Sequence, residues 1–219
     1  MSHRYDAEST RYEILNIAAD LFIQQGYEKT SINQIVKKLD GLTKGAVYHH
    51  FESKEAILND VIALMLPDKT RLHEIEMNKS LTGLEQLQQL FLFSMHDDKL
   101  QTNSRKVAPL MENPAFFLKH LEQTKETYLP FVLKFIQAGN KDQSLHTAYP
   151  KQVSEVALFL LNTWYMNALY SDTVNEFWDK VAVSQFILQQ LGVNILADDV
   201  INQIKQLVGT QLDGVKDNE

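Results

Sequence analysis

An all-α fold is predicted by three features of the sequence. Apolar residues recur at helical spacing, as at Ile14, Leu15, Ala18, Leu21 and Phe22. Sustained apolar–polar alternation, the mark of a half-buried strand, is missing. Capping residues followed by Gly or Pro cut the chain into helix-length segments. With 219 residues, 44% of them hydrophobic, the chain has enough apolar material for a sizeable core.

The elements follow in order. Thr10 with Glu13 forms a capping-box pattern for a first helix, which Gly26 closes where a left-handed residue is wanted. Ser31 with Gln34 opens a short second helix ending near Leu39, before Asp40 and Gly41. Thr43 caps a third that runs to about His50, and Ser53 caps a fourth from Lys54 past Leu66, where Pro67 kinks or breaks it. Thr82 with Glu85 opens the Leu- and Phe-rich "LEQLQQLFLFSMHDD", and a shorter piece covers about Arg105 to Glu112. Asn113 and Pro114 start a long helix ended by Gly139. Pro150 begins the most apolar helix, "KQVSEVALFLLNTWYMNALY"; two more span about Val174 to Leu191 and Ala197 to Leu212. The composition shift at Pro67 divides the chain into a small unit, residues 1–66, and a larger helical body, residues 67–219.

Composition narrows the function. The absence of cysteine excludes disulfides and thiolate metal sites and fits a reducing cytoplasm. No apolar signal segment opens the chain, and its longest apolar run, "ALFLLN", is far short of the ~20 residues that span a bilayer, so no membrane partner is expected. A net charge of −7 opposes nucleic-acid binding, but the window 37–54 gathers Lys37, Lys38, Lys44 and Lys54 against Asp40 and Glu52. That basic island is read either as a solvated face or as a contact for nucleic acid.

Three helices within about fifty residues, the second and third short and joined by a glycine-containing turn, make a helix-turn-helix. In such a unit the third helix enters the DNA major groove, roughly 12 Å wide, with its N-terminal residues at the base edges. Ala18, Leu21, Phe22, Ile32, Ile35, Val36, Leu39, Val47 and Phe51 form its core side. Lys44, Gly45, Ala46, Tyr48, His49 and His50 are left to face outward or sideways. Small residues at Gly45 and Ala46 allow close backbone approach, and the polar groups around them can donate to phosphates or bases.

The stretch "ILNIAADLFIQQGYEKTSINQIVKKLDGLTKGAVYHHFESKEAIL" resembles the DNA-binding domain of the TetR (tetracycline repressor) family of transcriptional regulators. The resemblance covers about Arg11 to Leu64 and rests on "A..LF...GY", the "T[ST]...I" start of helix 2 and "KGAVYHHF..KE..L". The chain departs from the commonest family spacing by one extra residue between Ile35 and Tyr48, placing Asp40 before Gly41. The resemblance implies that Thr30 and Ser31 meet phosphates, that Lys44, Gly45, Tyr48 and His49 lie nearest base edges, and that Thr43, His50 and Lys54 hold phosphates. Each has a second role open to it: Ser31 and Thr43 as caps, Tyr48 packed on the first helix, and His50 as a half-buried histidine.

Most aromatic and methionine residues of the body are needed to pack its core. The resemblance places an effector pocket there, with candidates Phe91, Met95, Met111, Phe117, Tyr128 and Phe131. Asn162, Trp164, Tyr165, Asn167 and Tyr170 join them as a strip of polar tips among apolar bodies on one helix. It also implies a two-fold interface on about 150–171 and 174–191, with Trp178, Phe186 and Leu191 as contacts. No HExxH, GxSxG, P-loop or GxGxxG motif occurs. In "MHDD", His96 and Asp97 are adjacent and cannot share a helix face, so no metal or cofactor is expected.

The expectation is a homodimeric one-component regulator, a repressor, that binds a roughly palindromic double-stranded DNA operator under control of a small apolar or aromatic effector. Two other readings fit the sequence: a helical ligand-binding protein or enzyme without operator binding, and a DNA-bound adapter with no small ligand.

Overall fold

The computed structural model describes residues 7–166, 169 and 173–206. Among them the secondary structure is helical throughout. Four short-to-medium helices come first: α1 (Ala7–Gln25), α2 (Ile32–Lys38), α3 (Lys44–His50) and α4 (Lys54–Ala63). Then follow α5 (Lys69–Met77), α6 (Gly83–His96), α7 (Asp98–Val107), a 3-10 turn (Ala108–Glu112) and the 29-residue α8 (Pro114–Asp142). The last are α9 (Pro150–Leu161), a 3-10 turn (Thr163–Tyr165), α10 (Val174–Gln190) and a helical segment α11 over residues 198–206.

The chain forms two compact units, Met1–Leu66 with Thr102–His120, and Pro67–Gln101 with Leu121–Glu219. In the first, Ile14, Ala18 and Phe22 of α1 are buried with Ile35 of α2, Val47 of α3 and Ile57, Val61 and Ile62 of α4. Val107, Leu110 and Met111 of the returning segment are also buried. Its polar groups bind α1 and α4 at long sequence separation. Tyr12 Oη donates to Asn103 at 2.8 Å, Lys106 pairs with Asp20 at 2.9 Å, and Lys119 donates to Asn59 at 2.6 Å. In the second unit, Val181, Leu196, Val200 and Ile204 form a buried cluster over which Phe91, Met95, Tyr165 and Trp178 pack.

Caps explain most boundaries. Ser31–Gln34, Thr82–Glu85 and Thr173–Glu176 are reciprocal capping boxes, while Thr43 and Ser53 accept from the amides of Ala46 and Ala56. Several boundaries differ from the sequence expectation. The piece expected over about Arg105 to Glu112 is α7, which starts at Asp98 and ends at Val107, followed by a 3-10 turn to Glu112. Helix α1 already includes Ala7, so Thr10 lies inside it and is buried rather than capping. Helix α4 ends at Ala63, before Pro67 can act. Helix α8 runs through Gly139 to Asp142, and Gln143 at φ 68° takes the left-handed position. Gly139 is needed for packing instead: a Cβ there would meet the Leu145 side chain at 2.6 Å, and one on Gly83 would collide with the Gly139 backbone. Lastly, α9 stops at Leu161 because Asn162 has φ −128° and ψ −68°, outside the helical region.

Candidate nucleic-acid interface

The helix-turn-helix is built from α2 and α3, linked by Leu39–Thr43. Leu39 leaves α2 with extended backbone while its N–H donates to the Val36 carbonyl, and Gly41 at φ 72° turns the chain. The link is five residues, because Leu39 is already outside the helix. Buried Leu39 and Val47 fix α3 by its inner face. Its other face is open: Lys44, Gly45, Tyr48 and His49 are exposed and Ala46 is half-buried. Lys44 Nζ lies 5.8 Å from the Tyr48 ring centroid, an i,i+4 cation–π pair on that face.

The remaining residues marked by the sequence divide. Ser31 and Thr43 are exposed N-caps, each at a helix N-terminus whose amides favour an anion. Thr30 is not at the surface. It is 2% exposed, its hydroxyl donates to the Gly26 carbonyl at 2.9 Å, and Gln25 donates to it at 3.0 Å. It ties the α1–α2 turn together, so its hydroxyl does not reach a phosphate. His50 is half-buried. Burial, the neighbouring His49 imidazole and the Arg11 guanidinium all hold its pKa below the ordinary value, so at neutral pH it is a hydrogen-bonding group rather than a cation. Lys54 is half-buried, with Nζ bonded to the Tyr27 carbonyl at 2.9 Å and 4.1 Å from the Tyr27 ring centroid. An ammonium has three donors, so this bond leaves capacity for a phosphate.

Arg11 is a residue the sequence reading missed. Its guanidinium donates to the His50 carbonyl at 2.7 Å, pairs with Asp60 and lies 4.2 Å from the Phe51 ring centroid. It therefore joins α1, the end of α3 and α4. No local pattern marks it, because its partners lie 39 and 49 residues away.

The effector candidates are not gathered on one face. Met111 and Phe117 belong to the first unit, Met111 in its core. In the second unit, Tyr128 and Phe131 are buried on α8, and Phe91 and Met95 on α6 pack, like Tyr165, against the Val181, Leu196, Val200 and Ile204 cluster. Tyr165 donates to Ser184 at 3.1 Å, and Trp164 lies under the Lys180 ammonium, 5.8 Å from its ring centroid. Because α9 ends at Leu161, Asn162, Trp164 and Tyr165 do not form a strip on one helix. Asn167 and Tyr170 lie outside the described residues. Asn162 Oδ1 is closed from solvent and has no hydrogen-bond partner among the described residues. A separate groove of ≈ 280 Å³ lies between α8 and α9, lined by Leu121, Thr124, Lys125 and Leu129 of α8, by Glu155, Leu158 and Phe159 of α9, and by Thr163.

Of the dimer candidates, Phe186 on α10 is 64% exposed, whereas Trp178 and Leu191 are half-buried and Trp178 leans on the second unit's core. Val183 beside Phe186, and Val156 and Phe159 on α9, are further exposed apolar residues. No helix among the described residues is long and apolar enough to cross a membrane, and no group of three potential metal ligands occurs among them.

Comparison with known proteins agrees with this geometry. The chain is 28% identical over 177 residues to the transposon Tn10 TetC protein of Escherichia coli, covering 79% of this chain and 85% of that protein. It is 24% identical over 180 residues to IcaR, the negative transcriptional regulator of the biofilm operon icaADBC in Staphylococcus aureus, covering 77% and 93%. The crystal structure of a gamma-butyrolactone receptor (ArpA-like protein) has the same fold, with a TM-score of 0.59 at 22% identity over 92% of this chain and 97% of the other. Residues 14–61, which hold α2, α3, their turn and nearly all of α4, match the pattern of the bacterial regulatory proteins of the tetR family. Residues 14–61 therefore carry the helix-turn-helix domain of the tetR family of bacterial regulatory proteins, and the chain is a helix-turn-helix transcriptional regulator.

Proposed function

We propose that this regulator is a cytoplasmic repressor that binds a roughly palindromic operator as a homodimer and leaves it when a small apolar or aromatic effector binds. It is a regulator and not an enzyme in this reading. The observation that carries it is the open face of α3: Lys44, Gly45, Tyr48 and His49 are exposed beside the capped N-termini of α2 and α3, while the opposite face is buried. Lys44, Gly45, Tyr48 and His49 read bases; Ser31, Thr43 and Lys54 hold phosphates. Repression is supported by the negative regulator IcaR among the relatives. The second unit, with residues 67–101 and 121–219, carries the effector and the dimer contact. The exposed ridges of α9 and α10 support the dimer, and the α8–α9 groove supports a small ligand in this unit.

Selection of bound duplexes from a random DNA pool tests the reading. Two inverted half-sites spaced by one helical turn, ~34 Å, or a multiple of it are expected. A pool that enriches no sequence removes operator binding, and one enriched in a single asymmetric site removes the symmetric dimer.

A further inference from the structure

We propose that Phe116, on the first turn of α8, is a positioning residue that sets the phosphate-binding ammonium of Lys54 by way of Tyr27. The inference rests on the reading of Lys54 as a phosphate contact. The Phe116 and Tyr27 rings meet edge to face, with centroids 5.6 Å apart and planes at 86°. Phe22 closes on Tyr27 from the core, with centroids 5.2 Å apart. Tyr27 in turn carries Lys54, which donates to its carbonyl at 2.9 Å and rests 4.1 Å from its ring centroid.

A lysine stem has several rotatable bonds, and binding a phosphate ordinarily costs the entropy of fixing them. Here the ammonium is held before DNA arrives, so that cost is met in folding, and the free energy of the phosphate contact is fully expressed. The holder depends on the Tyr27 ring staying in place between Phe22 and Phe116. Lys119, one turn after Phe116 and on the same side of α8, adds a second grip. Its Nζ donates to Asn59 at 2.6 Å and lies 3.2 Å from Glu55. Lys54 and Glu55, neighbours in the first turn of α4, are thus both held from α8. A shift in the first turns of α8 is passed directly to a residue at the DNA backbone.

The test measures affinity for a mixed-sequence duplex across a salt series, using the full chain. Lys54→Ala is expected to lower the slope of log K against log salt by about one unit. Phe116→Leu, which keeps apolar volume but removes the ring edge, is expected to lower affinity several-fold and move the slope toward that of Lys54→Ala. Added to Lys54→Ala it should have no further effect, and Phe116→Tyr should behave as wild type. Phe116→Met repeats the test if Phe116→Leu melts early. A loss of affinity that is equal with and without Lys54→Ala marks Phe116 as packing only and overturns the proposal. So does a Phe116→Leu protein with wild-type affinity and slope. If Lys54→Ala itself leaves the slope unchanged, the phosphate reading of Lys54 fails, and the proposal with it.

Discussion

At the scale of single residues, burial decides which polar groups act on DNA and which act on stability. His120 is 2% exposed, and burial pushes its pKa down to about 4. The folded value lies below the unfolded one, so above pH 6.5 both states are neutral and the group has no effect on stability. As pH falls from 6.5 toward 4 the unfolded chain takes up a proton that the folded protein refuses, and stability is lost. At pH 5 that loss is about 2 kcal/mol. Urea denaturation of His120→Gln should therefore show a shallower decline between pH 7 and pH 5 than wild type. Identical slopes for the two proteins would show that His120 titrates normally. Glu76, held low mainly by its bond from Lys134, and Asp142, held low mainly by its bond from Ser144, act in a separate window, at and below the ordinary carboxylate range. Thr30 shows the same rule: the resemblance implies a phosphate contact, but its hydroxyl is buried in the fold, where it serves the α1–α2 turn.

At the scale of elements, local signals were legible and tertiary ones were not. Ser31, Thr43, Ser53 and Thr82 announce helix starts because a cap acts within three residues of itself. Thr10 has the same pattern but lies inside α1, since burial against the core outweighs the cap. Gly26 reads correctly as a left-handed terminator at φ 85°. Gly139 carries the same letter but packs α8 against α6 and Leu145, a demand set by residues far away in sequence. The ties from Asn103, Lys106 and Lys119 to α1 and α4 leave no periodic trace either. The open face of α3 was legible because its caps and inner apolar residues are contiguous; the layout around Asn162, Trp164 and Tyr165 was not, because α9 breaks at Asn162. The two kinds of glycine make a prediction. Gly26→Ala has open space around the new Cβ and pays only for backbone conformation, about 1 kcal/mol. Gly83→Ala gains up to ~1 kcal/mol in helix propensity, but its Cβ collides with the backbone of Gly139 and Phe135, and forcing the helices apart costs about 1–3 kcal/mol or more. Chemical denaturation should rank Gly83→Ala as the more damaging; the reverse order would mean that α6 and α8 separate freely.

At the scale of the whole molecule, a single short recognition helix reaches too few base pairs to bind an operator tightly, so affinity depends on joining two. Phe186 is 64% and Val183 45% exposed, one turn apart on α10, and Val156 and Phe159 repeat the pattern on α9, against which α10 packs. Large apolar side chains grouped in this way favour a protein partner over water. Phe186→Glu places a charge where the partner would desolvate it, without touching the residues that hold the subunit together. The expected penalty is roughly 3 kcal/mol, which weakens the dimer about 100-fold. Operator affinity should fall with it, because the second half-site is then no longer bound at the high effective concentration that the dimer supplies. Trp178→Ala is the contrasting variant: Trp178 packs on Phe177, with centroids 5.2 Å apart, and on the Val181, Leu196 and Val200 cluster, so its loss should lower the melting temperature of the subunit itself. Sedimentation and gel-shift titration on the two variants separate the effects. Phe186→Glu should sediment as a folded monomer at concentrations where wild type is a dimer, and it should bind an isolated half-site as wild type does. A Phe186→Glu protein that remains a dimer, or a monomer that still binds the full operator tightly, would remove α10 from the interface.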